Sequence, residues 1–398
     1  MSTLWCSWVG RPRAARGRAR GILSGFAVAA VPACSDAGGG ADPTPFPMAG
    51  TGGTGSPVAA AGTGGGQSLS QAGTGGQNDD NLVNAPGDFI DDEEKQPPPE
   101  PVSAFPESPS CEGGEPDACN DESCCTRAAV TTAELMTVAP NVTVLLSPYV
   151  LDKFEVTVER FRTFLAGYDD WRDAGNPESG SGAHPFTPGS GWDRDPTWEV
   201  ALPDSAAVMR VGLNCNAAQQ TWTDEPGFNE KKPINCVSWY EAFAFCVWDE
   251  GRLPTENEWQ YAAVGGAQAR SFAWGNTPLA LNFASYNCEV AGTRQNCSAD
   301  DIPDVGSRPD GDGRFGQSDL MGSVYEWTLD WYAPYPELMR DDYAKTDTGT
   351  QRVMRGGAWN STTTAAMSPT DRSYRQVPTF RSPIAGIRCA HLVEENPQ

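Results

Sequence analysis

Gly251-Arg252-Leu253-Pro254-Thr255-Glu256-Asn257-Glu258-Trp259-Gln260-Tyr261-Ala262-Ala263 is a turn running into a capped helix. Thr255 stands where an N-cap belongs, and Glu258 follows three residues on, the arrangement in which each side chain satisfies the other's backbone N–H. The spacing predicts a helix over Glu256–Ala263. Arg252, Glu256 and Glu258 are close enough in sequence to form an ionic cluster. Left on the surface, such a cluster contributes only about 0–1 kcal/mol.

Working outward, two further helices are predicted. Trp239, Phe243, Cys246 and Val247 share one side of a helix over Trp239–Trp248, and Phe154, Val158, Phe161 and Leu165 recur at helical spacing over Phe154–Leu165. Elsewhere from about Ala128, short apolar runs alternate with Gly, Pro, Asn and Asp. That pattern predicts an irregular, loop-rich α+β domain with little regular secondary structure.

The 398-residue chain carries 43 Gly, 33 Pro and a formal charge of −24. Such acidity repels nucleic-acid phosphates and anionic lipid surfaces, so neither is expected as a partner. Residues 1–34 run against this trend, with Arg11, Arg13, Arg16, Arg18 and Arg20 and no acid. The apolar stretch Ile22–Ala33 that follows is too short to span a bilayer as a helix and reads as an export signal. Val31-Pro32-Ala33-Cys34 resembles a bacterial lipobox, with Cys34 as the lipidated residue; an ordinary cleaved signal peptide is the alternative. The expected location is the bacterial outer membrane or cell surface, or the medium, with membrane contact only through that anchor.

Residues 35–78 repeat a loose Ala-Gly-Thr-Gly-Gly unit and cannot bury a core, so they read as a Gly/Thr-rich disordered linker. Residues 79–127 form an acidic, Pro-containing spacer that ends in a cysteine cluster. The folded domain is expected over 128–393, with 394–398 as a tail.

Of 12 cysteines, Cys6 and Cys34 fall in the leader, and the remaining ten, an even set in an exported chain, imply five disulfides and no spare thiol. Cys111, Cys119, Cys124 and Cys125 lie within 15 residues. A metal knuckle is one reading, but with no His nearby, paired disulfides are preferred. Cys124 and Cys125 are adjacent, so each is expected to pair back to Cys111 or Cys119.

The Gly251–Ala263 stretch resembles the signature G-K/R-R-L-P-T-E-A-E-W-E-Y-A of the sulfatase-modifying factor, or formylglycine-generating, family. Four more blocks follow the family's order: Asp152-Lys153-Phe154-Glu155-Val156-Thr157, Val237-Ser238-Trp239-Tyr240-Glu241-Ala242, Asp319-Leu320-Met321-Gly322-Ser323-Val324-Tyr325-Glu326-Trp327 and Arg355-Gly356-Gly357-Ala358-Trp359. Gly386-Ile387-Arg388-Cys389 is similar to the family's closing G-F-R-C. The resemblance implies a C-type-lectin-like fold and favours a structural role for the cluster of Arg252, Glu256 and Glu258. It also implies a disulfide between Cys246 and Cys389, worth about 4–5 kcal/mol in the chain-entropy picture. Cys215–Cys236 and Cys288–Cys297 are then the simplest remaining pairs.

The resemblance further implies structural calcium, held at Asp319, Gly322, Val324 and Glu326. Carboxylate and backbone oxygens suit that hard cation. A second family site would begin at Asn282 and Phe283, but its downstream partners fall where this chain inserts the Cys288–Cys297 loop. Asp310-Gly311-Asp312-Gly313 is not an EF-hand loop, because the twelfth position is Met321.

The family's oxidases hold Cu(I) with two cysteines. The matching positions here are Ser361 and Ala366, the family's active-site serine is Ala358, and its tryptophan before the metal-loop Glu is Tyr325. Hydroxyl and methyl groups cannot replace soft thiolates, so copper is not expected. Only His184 and His391 are present, too few for a three-His iron centre, and a Ser/His/Asp triad is not expected either.

The reading favoured is a non-catalytic binding module for a glycan or protein. The insertion Asp169–Thr223, with Trp171, Trp192, Trp198 and Trp222, would offer an aromatic platform; the alternative is a loop packed on the core. An enzyme with altered chemistry is the second reading, and true formylglycine generation the third.

Overall fold

The structure is a computed structural model that describes residues 108–111, 119–132, 134–288 and 297–393. The leader with Cys34, the linker, most of the acidic spacer and the tail at 394–398 lie outside the described residues.

Nine short strands and five α-helices are found among the described residues. In chain order they are β1 (Arg127–Val130), β2 (Met136–Ala139), β3 (Val142–Val144), β4 (Tyr149–Asp152), α1 (Val158–Asp173), α2 (Pro196–Ala201), α3 (Ala206–Leu213), α4 (Trp239–Trp248) and α5 (Glu256–Val264). After them come β5 (Tyr325–Trp331), β6 (Arg352–Arg355), β7 (Arg375–Gln376), β8 (Ala385–Gly386) and β9 (Ala390–His391). Between α5 and β5 the described chain makes only single turns of 3-10 helix. The architecture is therefore α+β and loop-rich, as expected.

β1, β4 and β9 form one antiparallel sheet, in which Arg127 faces Asp152 and Val150 faces His391. The two ends of the domain are thus sewn together. A second sheet runs β7-β6-β5-β8, with β5 and β8 parallel. This sheet positions the site: β5 opens with Tyr325 and Glu326, β6 leads into Gly356-Gly357, and β8 leads into Arg388.

The predicted helix over Glu256–Ala263 is α5, with the reciprocal Thr255–Glu258 cap present and Gly265 in the left-handed conformation (φ 68°) stopping it. α4 carries the same reciprocal cap through Ser238 and Glu241. The first predicted helix starts later than its periodicity suggests. Thr157 caps α1, accepting from Arg160 N–H, and Phe154 stays in the turn after β4. Phe154 recurs at the right spacing because it is buried from the turn, which apolar periodicity alone cannot distinguish from a helix face.

The ionic cluster exists in part. Both guanidinium arms of Arg252 donate to Glu258, at 2.7 and 2.6 Å, and both residues are buried. Burial pushes the Glu258 carboxyl up, but Arg252 and the nearby His184 outweigh it and hold the group well below the usual carboxylate range. Glu256 does not join. It pairs with Arg372 at 2.8 and 2.7 Å, because side chains two apart on a helix diverge.

The insertion packs inward. Trp192 and Trp222 are buried in the main core, Trp171 and Trp198 pack against it half-buried, and His184 of the same segment donates to Glu258 at 3.3 Å. Four indoles spent on the core do not form an open platform.

All ten cysteines from Cys111 to Cys389 are paired: Cys111–Cys125, Cys119–Cys124, Cys215–Cys236, Cys246–Cys389 and Cys288–Cys297. The first two brace a short segment over α1. There Ser110 N–H donates to Asp249 at 2.9 Å, and Arg160 spans Ser110, Asp152 and Asp249.

Candidate functional site

Gly356 and Gly357, leaving β6, have φ of 103° and 82°, where a side chain would be strained. Space forbids one as well. A Cβ on Gly357 would lie 2.7 Å from Met367 Sδ and 2.8 Å from the Ala366 carbonyl oxygen, and one on Gly356 3.0 Å from the Leu320 carbonyl oxygen. The glycines therefore let the strand end pass against the Ser361–Met367 turn. Ala358 N–H donates to Ser361 Oγ at 3.0 Å. Tyr325 is buried beside Ser361 and stacks on Tyr374 with ring centres 4.1 Å apart. Burial raises the Tyr325 phenol pKa, with the Ser361 hydroxyl acting the other way.

Tyr325, Ala358, Ser361 and Ala366, separate in sequence, are thus gathered around the two glycines. The Cys288 limb of its disulfide loop lies alongside. Asn287 N–H donates to the Ser361 carbonyl at 2.9 Å and Cys288 N–H to the Trp359 carbonyl at 2.8 Å. Tyr374 was not singled out in the sequence, where it stands in no motif; only the fold of β7 against β6 brings it here.

The loop 319–326 lies next to this cleft. Gly322 N–H donates to the Gly356 carbonyl at 2.8 Å, and Ser323 N–H to the Ser285 carbonyl at 3.1 Å. Asp319 accepts from Gly306 N–H at 2.5 Å. Glu326 is wholly enclosed: Arg388 Nε reaches both its oxygens at 3.0 Å, Arg388 Nη2 reaches Oε1 at 2.8 Å, and Trp259 Nε1 donates to Oε2 at 2.7 Å. Burial, reinforced by Asp319 and Glu326, pushes the Glu155 carboxyl well above its usual range, and burial lifts Asp319 to about 6.

Asn282 and Phe283 stand close by. Asn282 Nδ2 donates to Asp310 at 3.3 Å, and the Phe283 carbonyl packs so close to Gly311 that a Cβ there would be 1.8 Å from its oxygen. The two histidines stay apart in separate ionic clusters. His184 is with Glu258, and His391 Nε2 bonds Asp152 at 2.8 Å.

The sequence profile of the sulfatase-modifying factor enzyme 1-like domain matches residues 91–393. The chain belongs to this family. It is 31% identical over 242 residues to a formylglycine-generating enzyme of Streptomyces coelicolor, covering 55% of this chain and 70% of that protein. It is 32% identical over 267 residues to the inactive C-alpha-formylglycine-generating enzyme 2 of Mus musculus, covering 62% of this chain and 76% of that one. Among solved structures, Treponema denticola variable protein 1 superposes with a TM-score of 0.44 at 22% identity, over 67% of this chain and 95% of that one.

In this sulfatase-modifying factor domain the residues at the copper-ligand positions do not fit Cu(I). They carry a hydroxyl and a methyl group, the Ser361 hydroxyl already accepts a backbone hydrogen bond, and every cysteine among the described residues is held in a disulfide. The 319–326 loop does fit a hard cation. Its donors are oxygens, and the buried acids Glu155, Asp319 and Glu326 face the buried guanidinium of Arg388 and, at Asp319, also that of half-buried Arg308. Among the described residues no three His, Cys, Asp or Glu side chains are spaced to hold a metal, so a cation here must draw on backbone carbonyls such as those of Gly322 and Val324.

Proposed function

We propose that this chain is an exported, lipid-anchored protein whose sulfatase-modifying factor domain has given up copper oxidation and serves as a binding module for a glycan or protein. The observation that carries this reading is the donor set at the cleft. Two soft sulfurs are needed to hold Cu(I), and Ser361 and Ala366 offer none. Mouse and bovine relatives are named as inactive C-alpha-formylglycine-generating enzymes, which supports a reading without that activity. The deciding experiment incubates the protein with a sulfatase-type cysteine peptide, Cu(I) and oxygen. No aldehyde is expected by mass spectrometry, and multiple turnover would overturn the reading.

Calcium is part of this proposal, as a structural ion at Asp319, Gly322, Val324 and Glu326. A cation there relieves the repulsion among Glu155, Asp319 and Glu326, which outnumber the two guanidiniums, Arg388 and Arg308, beside them. Millimolar calcium added to chelator-stripped protein is expected to raise Tm by several degrees, since an ion that binds only the folded state stabilises it. An unchanged Tm would remove calcium from the account.

A further inference from the structure

Glu155 is buried completely, yet it belongs to β4's outgoing turn and not to the 319–326 loop. Its carboxylate nonetheless grips that loop twice. Oε2 accepts from Ser323 Oγ at 2.9 Å, and Oε1 from Val324 N–H at 3.2 Å. The grip falls where the loop is least comfortable: Asp319 (φ 59°), Gly322 (φ 86°) and Ser323 (φ 54°) are all left-handed. For Asp319 and Ser323, which carry a Cβ, that conformation costs about 1–2 kcal/mol each unless the surroundings hold it.

The bond to Val324 N–H also fixes the Ser323–Val324 peptide plane. That plane determines where Ser323's carbonyl points, and the chain direction it imposes governs the next carbonyl, that of Val324.

We propose that Glu155 is the positioning residue of the calcium loop: it holds the Ser323–Val324 turn in the shape that presents backbone oxygens, without ligating the ion. The inference rests on the calcium reading given above. Groups that hold and orient a metal's ligands typically contribute 10–100-fold in affinity.

The test is calcium titration calorimetry on the chelator-stripped full chain and on two variants, with near-UV circular dichroism as the check on folding. Glu155→Gln keeps the side chain's shape but replaces one of its two acceptors with a donor, and calcium affinity is expected to fall about ten-fold or more. Ser323→Ala keeps the Val324 bond and removes the other, and a smaller loss of about three-fold is expected. Binding by Glu155→Gln within two-fold of the parent would overturn the role of Glu155 while leaving calcium in place. If Glu155→Gln does not fold, unchanged binding by Ser323→Ala would overturn it. A parent protein that binds no calcium would sink the calcium reading and this inference with it.

Discussion

Replacing Arg388 with Met is expected to destabilise the domain by about 3–5 kcal/mol, the usual cost of leaving a buried charge without its partner. Arg388 is fully enclosed. Beyond its paired contact with Glu326, it donates to the carbonyls of Asp152, Lys153 and Ser318 at 3.0, 2.6 and 2.8 Å. One side chain therefore ties the end of β4, the approach to the 319–326 loop and the start of β5. Methionine fills similar space but abandons three carbonyls and leaves Glu326 with only the Trp259 N–H. Arg388→Lys is expected to lose nearly as much, because an ammonium cannot reproduce the planar fork. Urea-unfolding midpoints measure both variants, and a loss below about 1 kcal/mol for Arg388→Met would contradict this account.

The second large effect is expected from the Cys246–Cys389 bridge. It joins the last turn of α4 to the strand end before β9, closing 143 residues, whereas Cys288–Cys297 closes nine. In the chain-entropy picture, opening the long loop costs about 5 kcal/mol and opening the short one about 2.5 kcal/mol. Both Cys246 and Cys389 are fully buried, so paired replacement by Ala adds little polar cost. Denaturation of the two double variants should rank them in that order. Equal losses would show that the bridge near the cleft does more than close a loop.

Much of the fold was legible because its signals are local. The Thr255–Glu258 cap is readable four residues at a time and α5 begins where it puts it, while apolar spacing alone marked α4 from Trp239. Even cysteine arithmetic was enough to expect every thiol to be paired. The connectivity near the N-terminus was not readable, since Cys124 and Cys125 each had two open choices. The structure decides it, with Cys125 taking Cys111 and Cys124 taking Cys119.

Sequence also misjudged residues whose role depends on distant neighbours. Glu256 and Glu258 look equivalent beside Arg252. They point to different sides of α5, and only Glu258 meets it, while Glu256 meets Arg372 from 116 positions away. The indoles of the 169–223 insertion looked available until α1 and α4 were placed behind them.

By itself, then, the order of residues determined the family, the starts of α4 and α5, the paired state of the cysteines and the lack of sulfur at the copper positions. Each of these depends on residue identity or on contacts within one turn of chain. Only the tertiary structure decided that Glu155 grips the 319–326 loop across 168 positions, that Arg388 neutralises Glu326 across 62, and that Tyr374 covers Tyr325. Electrostatic and packing partners are chosen by distance in space, and a loop-rich chain brings together residues that no local pattern connects.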